Sequence, residues 1–100
     1  MIKHIVMWKL KDFAEGKSKL ENANIIKKGL EDLKGKVSVL QFIEVGINTN
    51  ESGQDFDLVL CTEFNNKEDL DTYQNHPEHL KVSGYIGKVK IERAAVDYEI

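Results

Sequence analysis

The chain has 100 residues, 41% hydrophobic and 31% charged, with a formal net charge of −3 at pH 7. This is the make-up of one ordinary globular domain, 1–100; scattered lysines give no electrostatic footprint for nucleic acid, and no apolar run approaches a membrane span. Cys61 is the single cysteine, so an internal disulfide is excluded, and an N-terminus without a signal-peptide layout leaves a reducing cytoplasm as the expected location.

Residues 2–10 alternate as a strand. One face carries Ile2, His4, Val6, Trp8 and Leu10; the other carries Lys3, Ile5, Met7 and Lys9. A polar loop over 11–17 follows. Ser18 with Glu21 then forms a capping box, and Leu20, Ala23, Ile26, Leu30 and Leu33 recur at helical spacing up to a stop at Gly35.

From Val37 to Asn48 the chain reads as a long strand, apolar on both faces. Residues 49–54 have turn composition, and Phe56–Phe64 is the next strand, close enough to pair with its predecessor as an antiparallel hairpin. Cys61 in this apolar run reads as a small buried hydrophobe. Asn65 or Asn66 caps a helix beginning at Lys67, with Leu70 and Tyr73 on one side. Pro77 breaks or restarts that helix, with Asn75 and Glu78 as a cap pair. Gly84 and Gly87 close the segment. Lys88–Glu99 is the last strand, with Arg93 and Asp97 on one face as a pair across a subunit seam or, more commonly, at the surface.

The predicted order, β-α-β-β-α-β, gives an α+β ferredoxin-like fold: a four-stranded antiparallel sheet with the helices on one face. Ile5, Met7, Val39 and Ile43 argue that the other face is covered too. A second copy is the economical cover, and two sheets back to back form a dimeric α/β barrel. The alternative is a monomer with an open sheet.

Chemistry concentrates in Tyr73-Gln74-Asn75-His76-Pro77-Glu78-His79. Imidazole accepts or donates a proton near pH 6.5, and a phenol donates to a developing oxyanion. His79 falls in the first turn of the restarted helix, where exposed N–H groups favour its neutral form. His4, on an enclosed strand face, is the candidate partner. The bland reading is a helix break with one imidazole capping the backbone; the weights favour that reading from residue types alone. The one metal-type spacing is His76 and His79, three apart with Glu78 between, and these three cannot all point one way, so no metal is assigned.

His4 and Trp8 in the first strand, D-F-D-L-V-L-C-T-E-F, the Y-x-x-H-P-x-H run at Tyr73–His79 and the closing Val96-Asp97-Tyr98 together resemble the stress-responsive dimeric α/β-barrel (Dabb) family over the full length. The resemblance implies the homodimer. In plant polyketide cyclases of the olivetolic acid cyclase type, a base and its helper tyrosine correspond to His79 and Tyr73, and a strand-one histidine to His4. A further pocket histidine of those enzymes corresponds to Leu58, so a different substrate is expected here.

Two functions follow as expectations. One is a module that binds a small, partly apolar molecule between sheet and helices, with Trp8, Leu58, Phe64 and His76 around it. The other is a cofactor-free acid/base enzyme of cyclase or lyase type, with His79 as base, Tyr73 as oxyanion donor and His4 as orienting group. A cofactor-independent monooxygenase is a third, invited by Trp8 alone. None of these requires a cofactor.

Overall fold

The computed structural model describes residues 1–50 and 55–100. Among these residues, six strands and three α-helices run in the order β1 (Ile2–Leu10), β2 (Phe13–Ala14), β3 (Lys17–Ser18), α1 (Lys19–Glu31), β4 (Phe42–Ile47), β5 (Leu58–Phe64), α2 (Lys67–Asn75), α3 (Pro77–Val89) and β6 (Lys90–Glu99). The four long strands form one antiparallel sheet in the order β4-β5-β1-β6. This is the predicted ferredoxin-like α+β fold. No helix among the described residues is long and apolar enough to cross a membrane.

Local chemistry sets the element ends. The Ser18 hydroxyl accepts from the Glu21 N–H while the Glu21 carboxylate accepts from the Ser18 N–H, the anticipated capping box. Of the two asparagines offered as the α2 cap, Asn66 serves, accepting from the Asp69 N–H at 2.8 Å. Leu20, at helical spacing with the α1 stripe, is 62% exposed; the buried positions of that helix are Asn22, Ala23, Ile26 and Leu30. The polar loop at 11–17 contains a small hairpin, β2–β3, turned by Glu15 and Gly16 at φ 52° and 74°. Two successive positive φ angles are what a two-residue hairpin turn requires, and glycine adopts one without strain.

Other boundaries differ from expectation. Val37–Gln41 is not strand. A 3₁₀ turn over Asp32–Gly35 follows α1, the Val37 N–H bonds the Leu33 carbonyl, and the Leu40 N–H bonds the Val37 carbonyl. Val37 and Leu40 are buried from this turn, so their apolarity reflects a folded-back connection and not alternation. Ile43 pairs with Thr62 and faces the helices; of the four residues cited for a covered outer face, Ile5 and Met7 are the strand residues that lie on it. Gly84 and Gly87 do not end α3. A Cβ added at either meets nothing within 4 Å, and the helix continues until Lys90 caps it. The expected turn at 49–54 falls partly on residues outside those described.

The core lies between the helices and one sheet face: Val6, Trp8 and Leu10 from β1, Leu58, Leu60 and Phe64 from β5, and Ile26, Leu30, Leu70, Tyr73, Ile86 and Val89 from the helices. The opposite face carries Ile5 and Met7 beside Val59, Cys61, Ala94 and Val96. Cys61, expected in the interior, is half-exposed there because it pairs with Ile5 and points away from the helices.

Candidate functional site

β1 alternation turns His4 toward the helices, where it is 3% exposed. Its neighbour on β6 is Asp97, directly opposite in the antiparallel register, so both side chains project from the same face. The His4 Nδ1 and the Asp97 carboxylate share a short hydrogen bond. A carboxylate only accepts, so Nδ1 carries the hydrogen, and in the neutral imidazole Nε2 is the proton-accepting nitrogen. The Thr62 hydroxyl, donating to the His4 carbonyl at 3.0 Å, anchors the backbone at this point. Asp97 therefore partners His4; the Arg93–Asp97 pairing considered from sequence does not form within the protomer.

His79 arrives from the other side. His76 has extended backbone and ends α2, Pro77 opens α3, and His79 stands in the first turn of the new helix. The His79 Nδ1 lies 3.1 Å from the Gln74 carbonyl, which can only accept, so here too Nδ1 carries the hydrogen and Nε2 is free. Burial lowers the His79 pKa below the ordinary imidazole value, and the Arg93 guanidinium, with His4 and His76 whenever they carry a second proton, lowers it further; the Gln74 carbonyl opposes them. Its neutral form is thus favoured chiefly by burial and like charge.

The two imidazoles meet at one cavity of about 80 Å³. Val6, Trp8, Leu30, Leu60 and Ile86 form its apolar wall. His4, Gln74, His79, Ser83, Lys90 and Arg93 supply its polar groups. A more open groove of about 560 Å³ runs alongside, sharing Gln74 with this cavity but containing no histidine. Both imidazoles are in the smaller space.

The other predicted residues fall outside that wall. Tyr73 is fully buried behind His79, ring centroids 4.6 Å apart, with Phe64 on its far side at 5.0 Å. Its hydroxyl has no hydrogen-bond partner among the described residues, and burial raises its pKa well above the ordinary phenol value. Leu58 is core, opposite Trp8 on the neighbouring strand. His76 caps α3: its Nδ1 accepts from the Glu78 N–H at 3.1 Å, displacing the predicted Asn75 cap, whose amide instead donates to the Asp71 carbonyl. No group of three His, Cys, Asp or Glu among the described residues is placed to hold a metal ion. Sequence reasoning missed Arg93 and Lys90 as wall residues. Their signal was register: Arg93 stands opposite Trp8, and a bulge between Lys9 and Leu10 sets Lys90 opposite Leu10.

Fold and site together define a small ferredoxin-like α+β domain with an imidazole pair at a cavity between sheet and helix. Over residues 2–100 the sequence matches the family described as Stress responsive A/B Barrel Domain, Dabb. The chain belongs to that family. A dimeric protein of unknown function and ferredoxin-like fold from Bacteroides fragilis is 39% identical, with a TM-score of 0.89 over 99% of this chain and 95% of that one. The hydroxynitrile lyase from Passiflora edulis shares the fold at 16% identity and TM-score 0.80, over 99% and 92%. An antibiotic biosynthesis monooxygenase does so at 13% and 0.71, over 100% and 98%. No curated protein matches the chain.

Proposed function

We propose that this chain is a homodimer, joined through its open sheet faces, in which each protomer binds a small carbonyl compound in the cavity and moves a proton on it without a cofactor. The observation that carries the reading is the convergence of His4 and His79 on one partly apolar cavity, each with Nδ1 engaged and Nε2 free. His79, kept neutral by burial, takes a proton from carbon beside the ligand carbonyl, leaving an enolate. The hydrogen on Nε2 of His79 is then returned to carbon or to a leaving oxygen. His4, oriented by Asp97, presents Nε2 as a second proton acceptor beside the same carbon. Tyr73 acts as a positioning residue, its ring fixing the His79 imidazole.

Two observations support the dimer. In the register of the sheet, the middle rows of the open face are Cys61-Ile5-Val96 and Val59-Met7-Ala94, while Lys3 with Glu63 and Lys9 with Glu92 mark its ends. An apolar centre between charged ends is the make-up of a protein interface. The Bacteroides fragilis protein, similar along nearly its whole length, is dimeric.

The test is hydrogen–deuterium exchange at carbon, followed by proton NMR on a panel of small ketones and keto acids in heavy water. Wild type accelerates exchange of at least one, and His79→Ala and His4→Ala each slow it about 10²-fold or more, the usual weight of a positioned acid or base. Exchange as fast in His79→Ala as in wild type rejects the acid/base reading.

A further inference from the structure

Two cationic side chains line the cavity and have no part in the proton transfer. Arg93 and Lys90 both come from the start of β6, and neither has an ion-pair partner among the described residues. No carboxylate side chain is in the wall; the nearest acid of the set, Asp97, is bonded to His4. Their placement is built into the sheet. Arg93 pairs with Trp8 and so shares the helix-facing side, and the β1–β6 bulge pairs Leu10 with Lys90, leaving Ile91 65% exposed. A bulge re-aims side chains in this way next to binding sites.

We propose that Arg93, assisted by Lys90, binds a carboxylate of the ligand, so that the cavity takes a small 2-oxo acid or similar carboxylic acid anion in preference to a neutral carbonyl compound. This rests on the reading of the cavity as a ligand site. The planar guanidinium meets a carboxylate through two parallel N–H donors, and the ammonium adds a point charge beside it. Size agrees. A cavity of about 80 Å³ is far below the several hundred Å³ that drug-sized ligands occupy, and suits a molecule of a few heavy atoms. The apolar wall of Val6, Trp8 and Leu60 then flanks the short carbon end, whose hydrogens face Nε2 of His4 and His79. The Arg93 charge that opposes protonation of His79 also attracts the anion.

The experiment titrates full-length protein with pyruvate, its uncharged isostere pyruvamide, and inorganic phosphate, reading amide shifts at Gln74, Ser83 and Arg93. Pyruvate binds at least about tenfold more tightly than pyruvamide, the range of one charged hydrogen-bonding pair. Arg93→Gln removes that preference and leaves pyruvamide affinity within about twofold; Lys90→Gln weakens pyruvate by a smaller factor. Equal affinity for acid and amide in wild type, an unchanged preference in Arg93→Gln, or phosphate binding as tightly as pyruvate overturns the carboxylate assignment while leaving the cavity a ligand site. No shift at these residues with any of the three overturns the ligand-site reading together with it.

Discussion

The two faces of the sheet are made by the same strands and differ in kind. The helix-facing side is closed over by Leu, Ile and Phe, yet it admits His4, Asp97, Lys90 and Arg93 along its β1–β6 edge. The opposite side is simpler, with apolar middle rows and charged ends. Polar groups in an interior are tolerated when partnered, and the Asp97 bond to His4 and the Gln74 carbonyl on His79 supply that. The contrast teaches a division of labour. One face gives up part of its packing to a polar cavity, and the other is left apolar at its centre.

The sharpest way to break this contrast is to charge the open face. Met7→Asp with Val96→Asp sets carboxylates in the middle rows, where each must be desolvated on association. Dimer dissociation is expected to rise about 100-fold or more, read by sedimentation, with the His4–Asp97 pair intact. A variant that still dimerises at wild-type strength places the interface elsewhere.

On the other face, Tyr73 separates packing from polarity. Tyr73→Ala removes a fully buried ring and is expected to cost about 3–5 kcal/mol by chemical denaturation. Tyr73→Phe removes a buried hydroxyl with no described partner, and should be neutral or stabilising by about 1 kcal/mol while retaining proton exchange. Loss of exchange in the phenylalanine variant would return the hydroxyl to the chemistry.

His79 gives a smaller, pH-dependent effect. Its folded pKa is depressed, so the unfolded chain binds the proton more readily. The stability it contributes is complete above the unfolded value of about 6.5 and is lost as pH falls through the folded pKa. Denaturation from pH 8 down to pH 5 should show this acid weakening in wild type and less of it in His79→Gln. A His79 titration midpoint above 6.5, measured by NMR, would contradict the burial argument.

The smallest expected change is at Gly84. A Cβ there meets nothing within 4 Å, and the position is inside α3, so Gly84→Ala should stabilise by about 0.5–1 kcal/mol with dimer and site unaltered.

How much of this was legible depended on the range of the physics. Ser18 with Glu21 and Asn66 before Lys67 act within one helical turn, and both caps form. Alternation in residues 2–10 put His4 and Trp8 on the enclosed face, and His79 joins them. The glycines of α3 misled because helix propensity is weak against the packing of Ile86 and Val89 on either side of Gly87. Val37 and Leu40 misled because an apolar residue buried from a turn resembles one buried from a strand. Asp97, Arg93 and Lys90 were out of reach for another reason: their roles depend on register and a bulge between strands some eighty residues apart, and pattern within β6 carries no record of either.

The most direct measurement is the protonation pattern of the three imidazoles by long-range proton–nitrogen NMR at neutral pH, with and without pyruvate. The expected pattern is the Nδ1–H tautomer at His4 and His79, the Nε2–H tautomer at His76, and ligand-induced shifts at Nε2 of His4 and His79 together. An Nε2–H tautomer at either His4 or His79, or a ligand response confined to His76, would contradict it.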